Sequence, residues 1–260
     1  MLDPNGHHWP ATTVSQTVDG PGIEHHDVRE HATDPRLAAL RLDVAGTAAP
    51  KLRDAGRFLH LAGHLTGDGR LSGSSPHGNG NDAQVAVGVL AQIAADLLDA
   101  SASLLSGINH YAGAALLRQV VEVEYLSWAF ANEKREASEW LNSTHQERLE
   151  FFTPVRLRDI SDGRFSAADY RHHCEQGGHP VPKAIPLLGN PDPAVAQMLL
   201  VDLLLHSWRT TDSLIEWEAR FSACEPVLEA LRTARGAFGN WGRDDPLYEW
   251  TLSAPPAPPP

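Results

Sequence analysis

The sequence lacks the features that mark several classes of protein. Two cysteines, Cys174 and Cys224, are too few for the disulfide framework of a small secreted domain. The longest apolar run, 198–205, is interrupted by Asp202 and is far shorter than a membrane span. The N-terminus has no charged segment followed by an apolar one, as a signal peptide has. These absences predict a soluble, cytoplasmic protein with no membrane contact.

Positive charge is also scarce. Lysine occurs only at Lys51, Lys134 and Lys183, and the formal net charge is −12. Nucleic acids attract basic surfaces, so this acidic balance argues against a protein whose main role is to bind nucleic acid. The sequence contains no glycine loop followed by lysine that would hold a phosphate, and no dinucleotide-binding fingerprint. We therefore expect no cofactor.

What is present is helical periodicity. Apolar residues recur every three or four positions over 82–105, 108–132 and 192–221, and a more polar helix is expected over 133–152. Asp34 followed by Pro35, and Ser166 ahead of a run through Cys174, have the composition of helix starts. No segment alternates like a strand. The prediction is an all-α protein, a bundle of about four to six long helices with short accessory helices.

The segments differ in composition, and this suggests how they are organised. Residues 1–33 are predicted to be a disordered tail, and the tail contains five histidines: His7, His8, His25, His26 and His31. Residues 34–67 are predicted to form N-terminal helices, divided at Gly46 and Pro50. A flexible Gly/Ser-rich linker over 68–82 leads to the main bundle at 83–240, and 241–260 is predicted to be a proline-rich C-terminal tail.

The segment 108–132 is apolar nearly all round, which is typical of a central helix. Arg118 and Glu122 interrupt it four residues apart, so they share a face, with Tyr125 close to that face. A buried Arg needs a carboxylate partner because an uncompensated buried charge costs several kcal/mol. Two interpretations stay open: an ion pair that fixes the register of the helix, or part of a ligand pocket.

The last long helix carries a second polar set. Asp202, His206, Arg209 and Ser213 follow one another at steps of four, three and four, so they share one face of an otherwise apolar helix. Asp202 could orient His206 by accepting a ring proton, and this would tune the histidine as a base. The alternative is a polar seam between packed helices, or the solvent-facing side of an amphipathic helix.

Between these helices lies a segment rich in potential metal ligands, over 170–180. His173, Cys174, Glu175 and His179 could form a metal enzyme's site, but their spacing fits no common zinc pattern. Gly177 and Gly178 are expected to end a helix and to place His179 at a loop entrance, where it could line a pocket. We therefore expect no metal in this protein.

One resemblance to a known family follows from these motifs. The helix over 115–122 with Arg118 and Glu122, followed by a helix with Tyr170 and Cys174 that ends near His179, resembles uncharacterised bacterial helical proteins. Those look related to the HEPN superfamily of helical bundles, over roughly residues 85–220 of this chain. The resemblance implies a helical bundle that is part of a toxin–antitoxin, phage-defence or RNA-cleavage system.

Ribonucleases of that superfamily carry an Arg a few residues before a His. Arg53 with His60 and Arg57 with His64 are each separated by six residues and are the candidates for this motif, although they lie before the linker. Arg171 and His179 are separated by seven residues, which does not match. The alternative function is therefore a metal-independent ribonuclease, acting as a homodimer.

The main expectation is a binding or regulatory protein with a polar pocket between its helices. Its ligand-binding candidates are Arg118, Glu122, Tyr125, His179, Asp202, His206 and Arg209. The partner is expected to be an unidentified small ligand or another protein. The sequence does not decide whether the protein is an enzyme.

Overall fold

The structure, a computed structural model, describes residues 25–189 and 191–253. All regular secondary structure in this part of the chain is helical, which confirms the predicted fold class. The first helices are α1 (His25–Thr33), α2 (Pro35–Leu65), α3 (Gly69–Ser72), α4 (Asp82–Ser106), α5 (His110–Ala131), α6 (Ala137–Asn142) and α7 (His145–Phe151). They are followed by α8 (Pro154–Asp159), α9 (Ala167–His173), a π-helical turn (Cys174–Gly178), a 3-10 turn (Pro182–Leu187), α10 (Pro193–Phe221), α11 (Glu225–Asp244) and α12 (Pro246–Ser253).

The helices begin at residues whose side chains cap them. Asp34 accepts a hydrogen bond from the backbone N–H of Arg36, and Pro35 occupies the first position of α2. Ser166 accepts hydrogen bonds from two backbone N–H groups at the start of α9. Both starts were predicted, because a side-chain oxygen at this position satisfies backbone donors that the helix itself leaves free.

Helix α2 does not break at Gly46 or Pro50, so the predicted division into two helices is wrong. Pro50 lies on the exposed side, whereas Ala48 and Ala49 beside it are completely buried. Proline removes one helical hydrogen bond. Burial of the small residues just before it, in a helix that packs against α4 and α11, keeps the helix continuous.

Two glycines allow α2 and α4 to cross at very short range. A Cβ atom on Gly88 would lie 2.5 Å from the backbone nitrogen of His60, and one on Gly56 would lie 2.8 Å from the carbonyl oxygen of Gly88. Any larger residue at these positions would push the helices apart. Residues 68–82, predicted as a flexible linker, therefore join two helices that are in direct contact, and they contain α3.

Helices α4, α5 and α10 form the centre of the fold, and their contact faces contain Leu98, Leu117, Leu200 and Leu204, each at most 1% exposed. Among the described residues, α4 alone is long and apolar enough to cross a membrane by length and composition. Its most apolar window is 61% buried inside the fold. Burial of this kind is what a helix in the core of a folded domain shows.

The C-terminal residues are folded, so the predicted tail over 241–260 is wrong for the part that the structure describes. Asp245 follows α11 and accepts two hydrogen bonds from the fully buried guanidinium of Arg41, at 2.6 and 3.0 Å. Trp241 donates a third, at 2.8 Å, and Leu247 of α12 is fully buried. This charge pair joins α2 to the C-terminal helices.

Two other predicted boundaries differ from the structure. The predicted helix over 133–152 is two short helices, α6 and α7, because Thr144 and Glu147 form a capping box that starts α7 anew. Of the predicted N-terminal tail, residues 25–33 form helix α1, which packs on α10. Residues 1–24 and 254–260 lie outside the described residues.

Candidate metal centre

Three helices bring a cluster of histidines and carboxylates together in the middle of the fold. Glu124 comes from α5, Asp169 and His173 from α9, and Asp202 and His206 from α10. Within α9 and α10 the aspartate precedes its histidine by four residues, so each pair shares one helix face. The two imidazole rings meet edge to face, with their centroids 5.1 Å apart.

His206 is held from both sides. Its Nδ1 lies 2.5 Å from Oε2 of Glu124, and both residues are 2% exposed. Its Nε2 lies 3.3 Å from Oδ1 of Asp202 on the same helix. Glu124 therefore fixes the orientation of the ring, and Nε2 faces the centre of the cluster.

His173 is equally buried, but its ring nitrogens are poorly satisfied. Nδ1 lies 3.6 Å from Oδ2 of Asp202, and Nε2 lies 3.6 Å from Oδ1 of Asp169. These separations are too long for good hydrogen bonds. Nε2 is buried and has no hydrogen-bond partner among the described residues. Buried polar atoms are nearly always paired, so this nitrogen beside a carboxylate is free to bind a further partner.

The charges in the cluster shift one another's proton affinities. Burial lowers the pKa of His206, but the carboxylates of Glu124 and Asp202 outweigh it and raise the pKa to about 10. Burial alone would raise the pKa of Asp202, but the nearby His173 and His206 hold that pKa far below its ordinary value. The cluster thus keeps carboxylates charged in a mostly buried place, where a cation stabilises them.

The spacing of these groups fits a metal ion. One ligand atom from each of Asp169, His173 and His206 can be chosen so that all three lie within 4.8 Å of one another. Bonds of about 2.1 Å from a metal to nitrogen or oxygen place neighbouring ligand atoms about 3 to 3.4 Å apart. The separation of His206 Nε2 from Asp202 Oδ1, 3.3 Å, and that of His173 Nε2 from Asp169 Oδ1, 3.6 Å, are close to these values.

A cavity of about 430 Å³ opens beside the cluster. Its walls are formed by Glu124, Tyr125, Arg164, Phe165, Ser166, Asp169, Asp202, Leu205, His206, Arg209 and Thr251. This volume lies within the range of small-molecule pockets, about 300–1,000 Å³. Of the predicted binding residues, Tyr125, Asp202, His206 and Arg209 lie together in this wall.

Arg118 and Glu122 lie outside this wall and form a separate network. Arg118 Nη2 is 2.6 Å from Glu122 Oε1, and the hydroxyl of Tyr170 donates to the same oxygen at 2.7 Å. Arg118 also donates to the Tyr170 hydroxyl at 3.0 Å. Burial, together with that hydrogen bond to Glu122, raises the pKa of Tyr170 to about 12. This geometry is an ion pair, the first of the two interpretations given above for Arg118 and Glu122.

His179 is exposed and lines no part of the cavity, so the predicted pocket of Arg118, Glu122, His179 and His206 does not form. The alternative metal set predicted from 170–180 also does not come together. Glu175 forms an exposed ion pair with Lys183 at 2.7 Å, and only His173 of that set reaches the cluster.

Sequence reasoning missed Glu124 and Asp169. Two signals were available: the same Asp-x-x-x-His spacing occurs at 169–173 and at 202–206, and Glu124 is an acidic residue on a helix that is apolar nearly all round. The repeated spacing shows which residues share a helix face. It does not show that the two faces point at each other.

The ribonuclease candidates lie along α2. Arg53 donates to Asp96 at 3.0 Å and to Asp99 at 3.2 Å, both on α4. The rings of His60 and His64 lie 4.8 Å apart. The guanidinium of Arg53 is thus already paired with two carboxylates, and ribonuclease activity stays a prediction of the resemblance.

Comparisons with protein-family models, curated proteins and solved structures give no match to this chain.

Proposed function

We propose that this protein binds a divalent transition-metal ion between α9 and α10 and uses it to hold a small ligand in the adjacent cavity. The ligands of the ion are His173, His206, Asp169 and Asp202. The observation that carries the proposal is the buried Nε2 of His173, which has no hydrogen-bond partner among the described residues although it lies 3.6 Å from Oδ1 of Asp169.

The donor set selects the class of metal. Two imidazole nitrogens with carboxylate oxygens and no thiolate suit Fe²⁺, Mn²⁺ or Zn²⁺, whereas Mg²⁺ and Ca²⁺ prefer oxygen donors alone. Four protein ligands leave positions open in a five- or six-coordinate shell. Those positions face the cavity, because Asp169, Asp202 and His206 all contribute to its wall.

Glu124 is the positioning residue of this centre. It accepts the Nδ1 proton of His206, so that Nε2 is the nitrogen directed at the cluster, where a metal ion would take the place of its proton. A carboxylate behind a metal-binding histidine fixes the tautomer and raises the basicity of the ligand nitrogen. The regulatory role predicted from the sequence, in a defence system or elsewhere, would then depend on the bound metal ion and on the small ligand that the metal ion holds.

The test is a metal titration of the full chain, purified without an affinity tag and stripped with a chelator. Mn²⁺, Zn²⁺ and Co²⁺ are added in turn, bound metal is measured by calorimetry and elemental analysis, and Co²⁺ absorption reports nitrogen and oxygen donors. We expect one ion per chain at micromolar affinity or better. Sub-stoichiometric binding of every ion would refute the proposal.

Matched histidine variants separate this site from adventitious binding. His173→Asn should lose the tight site, whereas His172→Asn should retain it, since His172 is the exposed neighbour on the same helix. Both variants keep the N-terminal histidines. If His173→Asn fails to fold, Asp169→Asn serves instead, because Asp169 has a side chain that is 46% exposed and tolerates replacement.

A further inference from the structure

The cavity beside the metal ligands has a second recognition element, the guanidinium of Arg209. Arg209 lies one helical turn beyond His206 on α10 and lines the same cavity. It is partly buried, yet it makes no ion pair or hydrogen bond with any residue that the structure describes. Arginines in partly buried positions are normally paired, because the guanidinium carries five donors that need acceptors.

The charge of the cavity depends on the metal. Its wall carries three carboxylates, Glu124, Asp169 and Asp202, and two guanidinium groups, Arg164 and Arg209. A bound divalent ion adds positive charge beside this wall. An anion is therefore attracted to the cavity more strongly with metal than without it.

The polar character of the wall also points to a ligand with oxygen acceptors. Tyr125 lines the cavity and is 1% exposed, and its hydroxyl lies near Arg158 without a hydrogen bond of good geometry to any described residue. Its ring is fixed by stacking on Phe165, with centroids 3.9 Å apart. The Tyr125 hydroxyl and the Arg209 guanidinium are thus two donors that line the same space as Asp169, Asp202 and His206.

We infer that the ligand is a small oxyanion, a carboxylate or a phosphate, which bridges the metal ion and Arg209. This inference rests on the proposed metal site and names the ligand class of that site. One oxygen completes the coordination of the metal, and a second accepts the planar guanidinium, which matches carboxylate and phosphate geometry. Arg164 is exposed at the cavity and adds positive charge at its entrance.

The experiment uses the Mn²⁺-loaded full chain and two probes, oxalate and inorganic phosphate, titrated by calorimetry. Manganese loading is measured first for every sample. We expect one oxyanion per bound metal, with at least a hundredfold weaker binding to the metal-free chain, and the tighter probe identifies carboxylate or phosphate as the natural group. Arg209→Gln should weaken the binding of that probe at least tenfold while it keeps the metal.

Arg220→Gln is the matched control, because Arg220 lies on the same helix but is exposed and pairs with Glu133. It should bind metal and oxyanion as the wild type does. A metal-loaded chain that binds neither probe, or an Arg209→Gln variant that binds as tightly as wild type, overturns the oxyanion inference and leaves the metal site standing. Failure of metal loading overturns both the proposed metal site and the oxyanion inference. Oxyanion binding that is equally tight without metal overturns the oxyanion inference alone.

Discussion

Glu124 and His206 lie 82 residues apart in the chain, and their side chains meet at 2.5 Å between Oε2 and Nδ1 in the interior of the fold. This contact couples α5 to α10 and aims the other nitrogen of His206 at the cluster of Asp169, His173 and Asp202. A single charged contact thus orients the His206 ring of the candidate centre.

The first prediction concerns this contact. Glu124→Gln can no longer accept the Nδ1 proton as a carboxylate does, so His206 loses its fixed tautomer. We expect metal affinity to fall about 10- to 100-fold, the usual cost of removing such a partner. Competition with a chromophoric chelator measures it. Glu122→Gln, on the same helix but outside the cavity wall, is the control and should bind metal normally.

A second prediction concerns the packing of the π-helical turn on α5. A Cβ atom on Gly177 would lie 2.6 Å from the backbone nitrogen of Ala115 and 2.7 Å from the carbonyl carbon of Ala114. Gly177→Ala should therefore push this turn, and His173 with it, away from α5. We expect a loss of about 1–3 kcal/mol in the free energy of unfolding, with weaker metal binding.

The control for this variant is Gly236→Ala. Gly236 is a helical residue of α11 around which an added Cβ meets nothing within 4 Å. Alanine is the better helix former, so this change should raise stability by about 0.5–1 kcal/mol. Urea unfolding of both variants measures the change in stability, and competition with a chelator measures the change in metal affinity. Equal metal affinity in Gly177→Ala and wild type would show that the turn does not position His173.

A third prediction concerns the fully buried pair of Arg41 and Asp245. Arg41→Ala leaves the carboxylate buried without its cation, and this should cost about 3–5 kcal/mol of unfolding free energy. The exposed pair of Arg36 with Asp34 is the comparison, and Arg36→Ala should cost less than about 1 kcal/mol. Similar urea midpoints for the two variants would contradict the structural role of the buried pair.

A fourth prediction concerns Arg118, which the sequence analysis considered as a buried charge that needs a carboxylate partner. Its side chain is 27% exposed and that of Glu122 is 31% exposed, so solvent screens the pair. Arg118→Ala should therefore cost only about 1 kcal/mol, mainly through its hydrogen bonds to Glu122 and Tyr170. Thermal melts check this, and a loss as large as that of Arg41→Ala would restore the original expectation.

A fifth prediction concerns pH. Burial raises the pKa of Glu218 above its ordinary value, although the backbone N–H of Cys224 partly opposes this. A raised carboxyl pKa means that its contribution to stability is fully present below the unfolded-state pKa and is lost as pH rises through the folded-state pKa. Glu218→Gln removes that loss, so its stability advantage over wild type should grow from acidic to neutral pH.

Chemical unfolding of both proteins across the acidic range measures this difference. Asp159→Asn, at an exposed side chain, is a control that should follow the wild type at each pH. If the Glu218→Gln and wild-type curves stay parallel, the folded-state pKa of Glu218 is not raised.

The helices could be predicted because their signals are local. Asp34 with Pro35, and Ser166, start helices through hydrogen bonds to residues two or three positions away. The errors at Pro50 and in the C-terminal segment occurred where distant residues compensate for a local signal. Pro50 would end an isolated helix, and only the packing of its neighbours on α4 and α11 keeps α2 continuous. The folded segment around Asp245 likewise depends on Arg41, 204 positions away.

The sequence by itself determined the all-α class, most helix starts and the Asp202–His206 pair, since each of these follows from residues within one or two turns of a helix. Only the tertiary structure decided that α5 and α9 bring Glu124, Asp169 and His173 to that pair, while Arg118 and His179 lie elsewhere. The physical reason is that periodicity fixes which residues share a face of one helix, whereas helix packing over the whole core fixes which faces meet.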